Sequence, residues 1–403
     1  MKPLVVEKTV QQAVDRLLLE QGSYTPLELL LMEGRLLFAD YEAWRSGQCR
    51  YLDELLFGDP EQSRDLLQQA AAYVEALKLE AEPISYNRWG GGGGDLPFSP
   101  QSGFDRLFHT TYGKPAEIPQ MDLFMDATGA TLVNGIQAAL IGRDFAEARR
   151  QLDLLFDADP GNNRLGSLEQ LVEASGRLNQ SVVDVVAGEL DYLQQELLPL
   201  AADQLGAGSR DFLAPFWRRL IQAVWADDFN PERPELHASY MAIQVEAWEQ
   251  VQQSIEAQAD WAKQPLLVRR YAQASGRLQQ SERAVCCWFR LCWGFPDQTG
   301  AIGREAESDL RHRWQCFVDL ESELPNQDFP AWSLLEQPGL IKRLAAADCL
   351  ADVKIPEDYR VTAELAAAGV AAVPAADLIE QRKRLKELNP ELFRHYLKRF
   401  GRG

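Results

Sequence analysis

Residues able to do chemistry are plentiful in this chain, but their spacing assembles few tools. Cysteines stand at 49, 286, 287, 292, 316 and 349 with no CxxC pair, and histidines at 109, 237, 312 and 395 lie far apart. Neither set has the spacing of a zinc site. There is no GxSxG elbow, no HExxH and no DxDxDG array, so the commonest nucleophile and metal signatures are missing. Five consecutive glycines, Gly90–Gly94, have neither the following lysine nor the preceding strand of a phosphate-binding loop, and they read as a linker. Cys286, Cys287 and Cys292 share the apolar run "AVCCWFRLCWGF" with Trp288 and Trp293 and are expected to be reduced core side chains. His312 reads as an exposed helical residue and His109 as a turn residue. No catalytic residue, metal site or cofactor is assigned.

Charge narrows the partners. The 403 residues carry a formal net charge of −19, which repels phosphate backbones. One segment reverses the sign: from Arg382 to Arg402, eight basic residues face only Glu387 and Glu391, a local +6 that leaves −25 on the remainder. Nucleic-acid contact is therefore expected only through this basic tail, if at all. The stretch "TPLELLLMEGRLLFADYEAWRSGQ" could be drawn as a DNA-reading helix-turn-helix, but residues 1–80 hold eight basic and fourteen acidic residues, which argues against it. No apolar run approaches the roughly 20 residues needed to cross a bilayer. The first residues, "MKPLVVEKTVQQAVDRLLLEQG", are interrupted by Glu7, Lys8, Asp15 and Arg16 and lack the core of a signal peptide. The expectation is a cytoplasmic protein with no membrane partner.

The elements that must position these residues read as helices nearly throughout. Thr25, Pro26 and Glu28 spell a capping box, and Asp59-Pro60 and Asn389-Pro390 mark two further helix starts. Residues 1–80 form an N-terminal helical module, and 81–119 a Gly/Pro-rich connector whose Trp89, Leu96 and Phe98 dock on a neighbour. Residues 120–324 form helical repeats, and 325–403 short helices ending in the basic tail.

The clearest repeat lies within 136–162. Phe145, Ala148, Leu152 and Leu155 fall on one helical face, and Asp159-Pro160-Gly161 stops the helix. The spacing of Phe145, Ala148, Leu152 and Pro160 resembles the second helix of a tetratricopeptide repeat, although no Trp-x-x-Leu-Gly precedes it. The word "ASGRL" occurs at Ala174–Leu178 and again at Ala274–Leu278, an offset of 100. Three repeats of ~34 residues would span about that distance. "LAPFWRRLIQAV" and "LRHRWQCFVDLE" echo each other at an offset of 97, aligning Trp217 with Trp314. Internal duplication is the expected origin, with Gly176 and Gly276 as left-handed corners between helices.

The resemblance implies an all-α chain of stacked helical hairpins, a tetratricopeptide-like α-solenoid with an N-terminal helical module. It also implies a non-catalytic scaffold — adaptor, chaperone or assembly factor — that binds another protein or peptide. The candidate partner-binding residues are Trp217, Arg218, Arg311, Trp314, Arg382, Lys383 and Arg384, because Trp and Arg dominate binding hot spots. The alternative is an enzyme or effector regulator with a site near the 82–120 connector, where a perturbed His109 or a clustered carboxylate pair would be its mark.

Overall fold

A computed structural model describes residues 6–91, 94–113, 126–182, 185–320, 323–347, 354–370 and 378–400. The chain divides into two units, Met1–Asp227 with Glu235–Ala247, and Asp228–Pro234 with Trp248–Gly403. The first contains α1 (Lys8–Gln21), α2 (Pro26–Met32), α3 (Phe38–Arg45), α4 (Pro60–Ala76), α5 (Ser102–Phe108), α6 (Asp126–Ile141) and α7 (Phe145–Ala158). It continues with α8 (Leu165–Gly176), α9 (Val186–Tyr192), α10 (Leu198–Leu205), α11 (Ser209–Ala223) and α12 (Ala238–Gln244). The second contains α13 (Trp248–Glu256), α14 (Pro265–Arg277), α15 (Ser281–Gly294), α16 (Ile302–Glu305) and α17 (Ser308–Val318). It ends with α18 (Phe329–Glu336), α19 (Leu340–Ala347), α20 (Glu357–Val370), α21 (Ile379–Leu388) and α22 (Pro390–Phe400). The all-α expectation holds in the main, and no helix among the described residues is long and apolar enough to cross a membrane.

Local signals explain where several helices begin. The Thr25 hydroxyl accepts from the Glu28 amide at 3.4 Å, with Pro26 in the first turn. The Asp59 carboxylate accepts from the Glu61 amide at 3.0 Å, and the Asn389 side chain accepts from the Leu392 amide at 3.0 Å. Each cap satisfies an orphan N–H of the first turn. The second half of the capping box at Thr25 is redirected, because the Glu28 carboxylate ion-pairs with Arg210 at 2.6 Å.

A small antiparallel sheet departs from the all-helical expectation. Its strands β1 (Ser23–Tyr24), β2 (Glu80–Pro83) and β3 (Thr110–Gly113) are ordered β1-β3-β2, with Tyr24 opposite Tyr112 and Ala81 opposite Tyr112. The segment read as a connector thus supplies two strands and α5. It also contributes aromatic core: Phe98 stacks on Phe108 at 4.0 Å, and Trp44 and Tyr86 close around Phe108. Trp89 and Phe98 are buried, and Leu96 is half-buried.

Two helical hairpins stand out, α6–α7 in the first unit and α14–α15 in the second. In α7, Ala148, Leu152 and Leu155 are buried as the spacing predicts, and Phe145 sets its ring edge-on to Phe212. The paired "ASGRL" words both close a helix and bury their Ala-Ser face, but the glycines are not left-handed corners. Gly176 is right-handed helical at φ −64°, and in the second copy the positive φ falls three residues later, at Gln279 (58°). Their surroundings also differ. A Cβ on Gly176 would meet nothing within 4 Å, whereas one on Gly276 would overlap the Glu307 carboxylate. The shared word records a shared helix end, not equivalent neighbourhoods.

Candidate functional site

The strongest concentration of ionisable groups lies buried in the first unit, and it is built by four segments. Helical spacing puts Tyr41 and Arg45 one turn apart on α3, with Glu42 beside them. The α6–α7 turn contributes Arg143, held at φ 54°. From α11 come Asp211 and Arg218, and from the glycine-rich loop Trp89. The loop reaches this place because Gly90 and Gly91 adopt left-handed backbone (φ 83° and 81°) that a side chain would resist. Backbone bonds then seat it, Trp89 N–H to Arg45 O at 2.8 Å and Gly90 N–H to Gly142 O at 2.9 Å.

Inside, Tyr41 donates its hydroxyl to Asp211 Oδ2 at 2.8 Å, and Arg45 bonds both the Tyr41 oxygen and Asp211, the latter at 3.5 Å. Arg143 donates Nε to the Asp211 carbonyl at 2.8 Å and Nη2 to Glu42 at 3.0 Å, while its guanidinium lies 3.4 Å above the Trp89 ring. Arg218 pairs with the other Glu42 oxygen. Burial pushes the Asp211 carboxyl up, against the pull of Arg45 and Arg210, and pushes the Tyr41 phenol well up. The same desolvation draws Arg143 down to about 10, still charged at neutral pH. A tyrosine, a carboxylate and an arginine at these distances have the parts of an acid–base set. Tyr41, Arg45 and Asp211 are nonetheless all buried, and their bonds are spent on one another and on backbone. The arrangement ties α3 and the Trp89–Gly90 loop to the α6–α7 turn and to α11.

The other candidates resolve into structural roles. His109 donates from Nδ1 to the Ile84 carbonyl at 3.0 Å, closing the β2 end of the sheet, with Asp95 at 3.8 Å and Asp105 at 3.9 Å. Burial pushes the Cys287 thiol up to about 12 and that of Cys292 higher, which removes both as nucleophiles. Cys286 is disulfide-bonded, so the expectation of uniformly reduced thiols fails there. A cleft of about 90 Å³ at α15, α17 and α19 is edged by Glu282 paired with Arg343 at 2.7 Å and Asp309 paired with Arg313 at 3.3 Å. A wider one of about 320 Å³ lies between α1 and α4, with Glu7, Arg35 and Asp65 on its walls. Ser281 and Thr9 are the hydroxyls on their walls, each near carboxylates, and no cluster of metal-ligating side chains occurs among the described residues.

The residues proposed for partner binding separate into two classes. Trp217 and Trp314 are core: the first packs edge-on to Tyr240, the second against Phe329 at 5.0 Å. They offer no groove lining. Arg218 belongs to the buried network, and Arg311 donates to the Ala306 carbonyl at 2.8 Å. Arg382 donates to the Tyr396 hydroxyl at 3.0 Å, and Arg384 pairs with Glu357. Lys383 is exposed. Sequence reasoning missed Tyr41, Arg45, Arg143 and Asp211. The available signal was Arg45 one turn from Tyr41 on a helix face that also carries the apolar Phe38, with Trp44 beside it.

No protein-family model matches the chain, and neither does any curated protein or solved structure.

Proposed function

We propose that this is a non-catalytic helical interaction protein, an adaptor, chaperone or assembly factor that binds a protein partner through helix surfaces. The observation that carries the reading is the fate of the best-equipped side chains. Tyr41, Arg45, Arg143 and Asp211 hold elements together around a closed interior, while the side chains left free for contact lie on helix exteriors. The α6–α7 and α14–α15 hairpins support a tetratricopeptide-like manner of stacking, in which paired helices present a continuous outer surface. This last step is analogy from architecture to role. The proposal keeps the cytoplasmic location expected from the sequence, with the Cys286 disulfide as the one observation that runs against a reducing compartment.

The test is cross-linking mass spectrometry on the tagged full chain in cells of its source. Reproducible cross-links from exposed helical lysines to one protein are expected. Recovery of intramolecular cross-links alone, with turnover of a small-molecule library by the purified chain, would replace the scaffold by an enzyme.

A further inference from the structure

We infer that the α21–α22 hairpin docks an acidic, leucine-bearing segment of the partner protein, an inference that rests on the interaction-protein reading above. The hairpin is seated along narrow stripes. In α21 only Leu385 is buried, and in α22 only Leu392 and Tyr396, with Arg382 bonded to the Tyr396 hydroxyl across the pair at 3.0 Å. Beside these stripes Gln381, Arg382, Glu391, Phe393, His395 and Phe400 are half-buried, and the remaining positions of both helices are exposed. Helical spacing places Ile379, Lys383 and Lys386 on one strip of α21, and Arg394, Leu397 and Lys398 on one strip of α22. Because 382 meets 396, the Ile379–Lys383 end of the first strip lies level with the Leu397–Lys398 end of the second.

These strips combine two unmet needs. Among the described residues no ion pair or hydrogen bond holds Lys383, Lys386 or Lys398, and Arg394 is met only by its helical neighbour Glu391. Ile379 is 64% exposed and Leu397 42%. Cations flanking isolated apolar side chains are complementary to a short segment with carboxylates around one or two leucines. Two other polyanions fit less well. A bilayer-inserting helix needs a whole apolar face, and here that face is occupied inside the unit by Leu385, Leu392 and Tyr396. A nucleic-acid duplex extends beyond the hairpin and meets the −25 carried by the rest of the chain.

Fluorescence anisotropy of the full chain with a labelled, about 16-residue peptide of glutamates with leucines at helical spacing tests this. The inference expects saturable binding that weakens several-fold between ~50 and ~300 mM salt. It expects loss of at least about tenfold in affinity in K383E/K386E/K398E, three exposed substitutions whose circular dichroism and Tm should match the parent. Absence of binding, equal binding by the variant, or tighter binding to phosphatidylserine vesicles or to a DNA duplex would overturn it. Concentration-dependent self-association abolished by the same substitutions would also overturn it, assigning the surface to a second copy. Repeating the cellular cross-linking with the variant separates the two readings. If the same partner is still captured, the hairpin assignment fails and the interaction-protein reading stands; if no partner is captured by either chain, the broader reading fails.

Discussion

At the residue scale the most exacting contacts are those of Asp211. Its carboxylate is buried and shared by Tyr41 and Arg45. Removing one member of such a set strands the others without water, at a cost of about 3–5 kcal/mol. Asp211→Ala is therefore expected to lower the urea midpoint sharply, and Tyr41→Phe to cost less, about 2–3 kcal/mol, because it removes the hydroxyl's bonds to Asp211 and Arg45 but leaves those two paired with each other. Equilibrium unfolding of both variants checks the order. The twin glycines give a second comparison between identical words. Gly176→Ala meets open space in a right-handed backbone and should stabilise by ~0.5–1 kcal/mol. Gly276→Ala drives a methyl into the Glu307 carboxylate and should destabilise by about 1–2 kcal/mol. Adding Glu307→Ala should restore most of that loss, and failure to do so would mean the carboxylate is not what keeps the position small.

At the element scale, three helix starts in the second unit meet at one amide. Asn389, which caps α22, donates to Asp328 at the head of α18 at 2.7 Å and to Asp358 in the first turn of α20 at 3.3 Å. Burial lifts the Asp328 carboxyl to about 6, and the neighbouring Asp358 adds to it against the Asn389 bond. A carboxyl raised above its ordinary 3.8 binds its proton more tightly in the folded chain. Its contribution is thus complete below about pH 4 and lost as pH rises through 6, on the order of 1–2 kcal/mol after allowance for solvent screening. Urea titrations at pH 5 and 7.5 should show Asp328→Asn flattening this part of the pH dependence. The start of α22 was legible because Asn-Pro is a local signal, as were the starts at Thr25 and Asp59. The rest of the junction was not, since Asp328 and Asp358 reach it from 61 and 31 residues away. The same limit hid the sheet, whose two- and four-residue strands carry no alternation that a window could detect. It also hid the left-handed turn at Gln279, since the sequence drew attention to the glycine three residues before it.

At the scale of the whole molecule, the boundary between units is crossed more than once. Asp228–Pro234 belongs to the second unit, and Glu235–Ala247 returns to the first. There α12 buries Met241 and Ala242 and gives Tyr240 to Gln194 at 2.7 Å and to the Trp217 ring. A fragment 1–227 should therefore unfold at a lower temperature and less cooperatively than 1–247, which calorimetry of the two would show. Hydrophobic periodicity revealed the helices of both units, but the alternation of membership along 228–247 depends on which helix each segment packs against, and periodicity says nothing of that.

This interleaving has a consequence on the ribosome. The nascent chain finishes α11 some 20 residues before α12 exists to cover it, and at ~5–20 residues per second that is about one to four seconds. For that interval Trp217 and its neighbours lack their cover, so slow codons in the stretch following Ala223 would prolong the exposure of this apolar face.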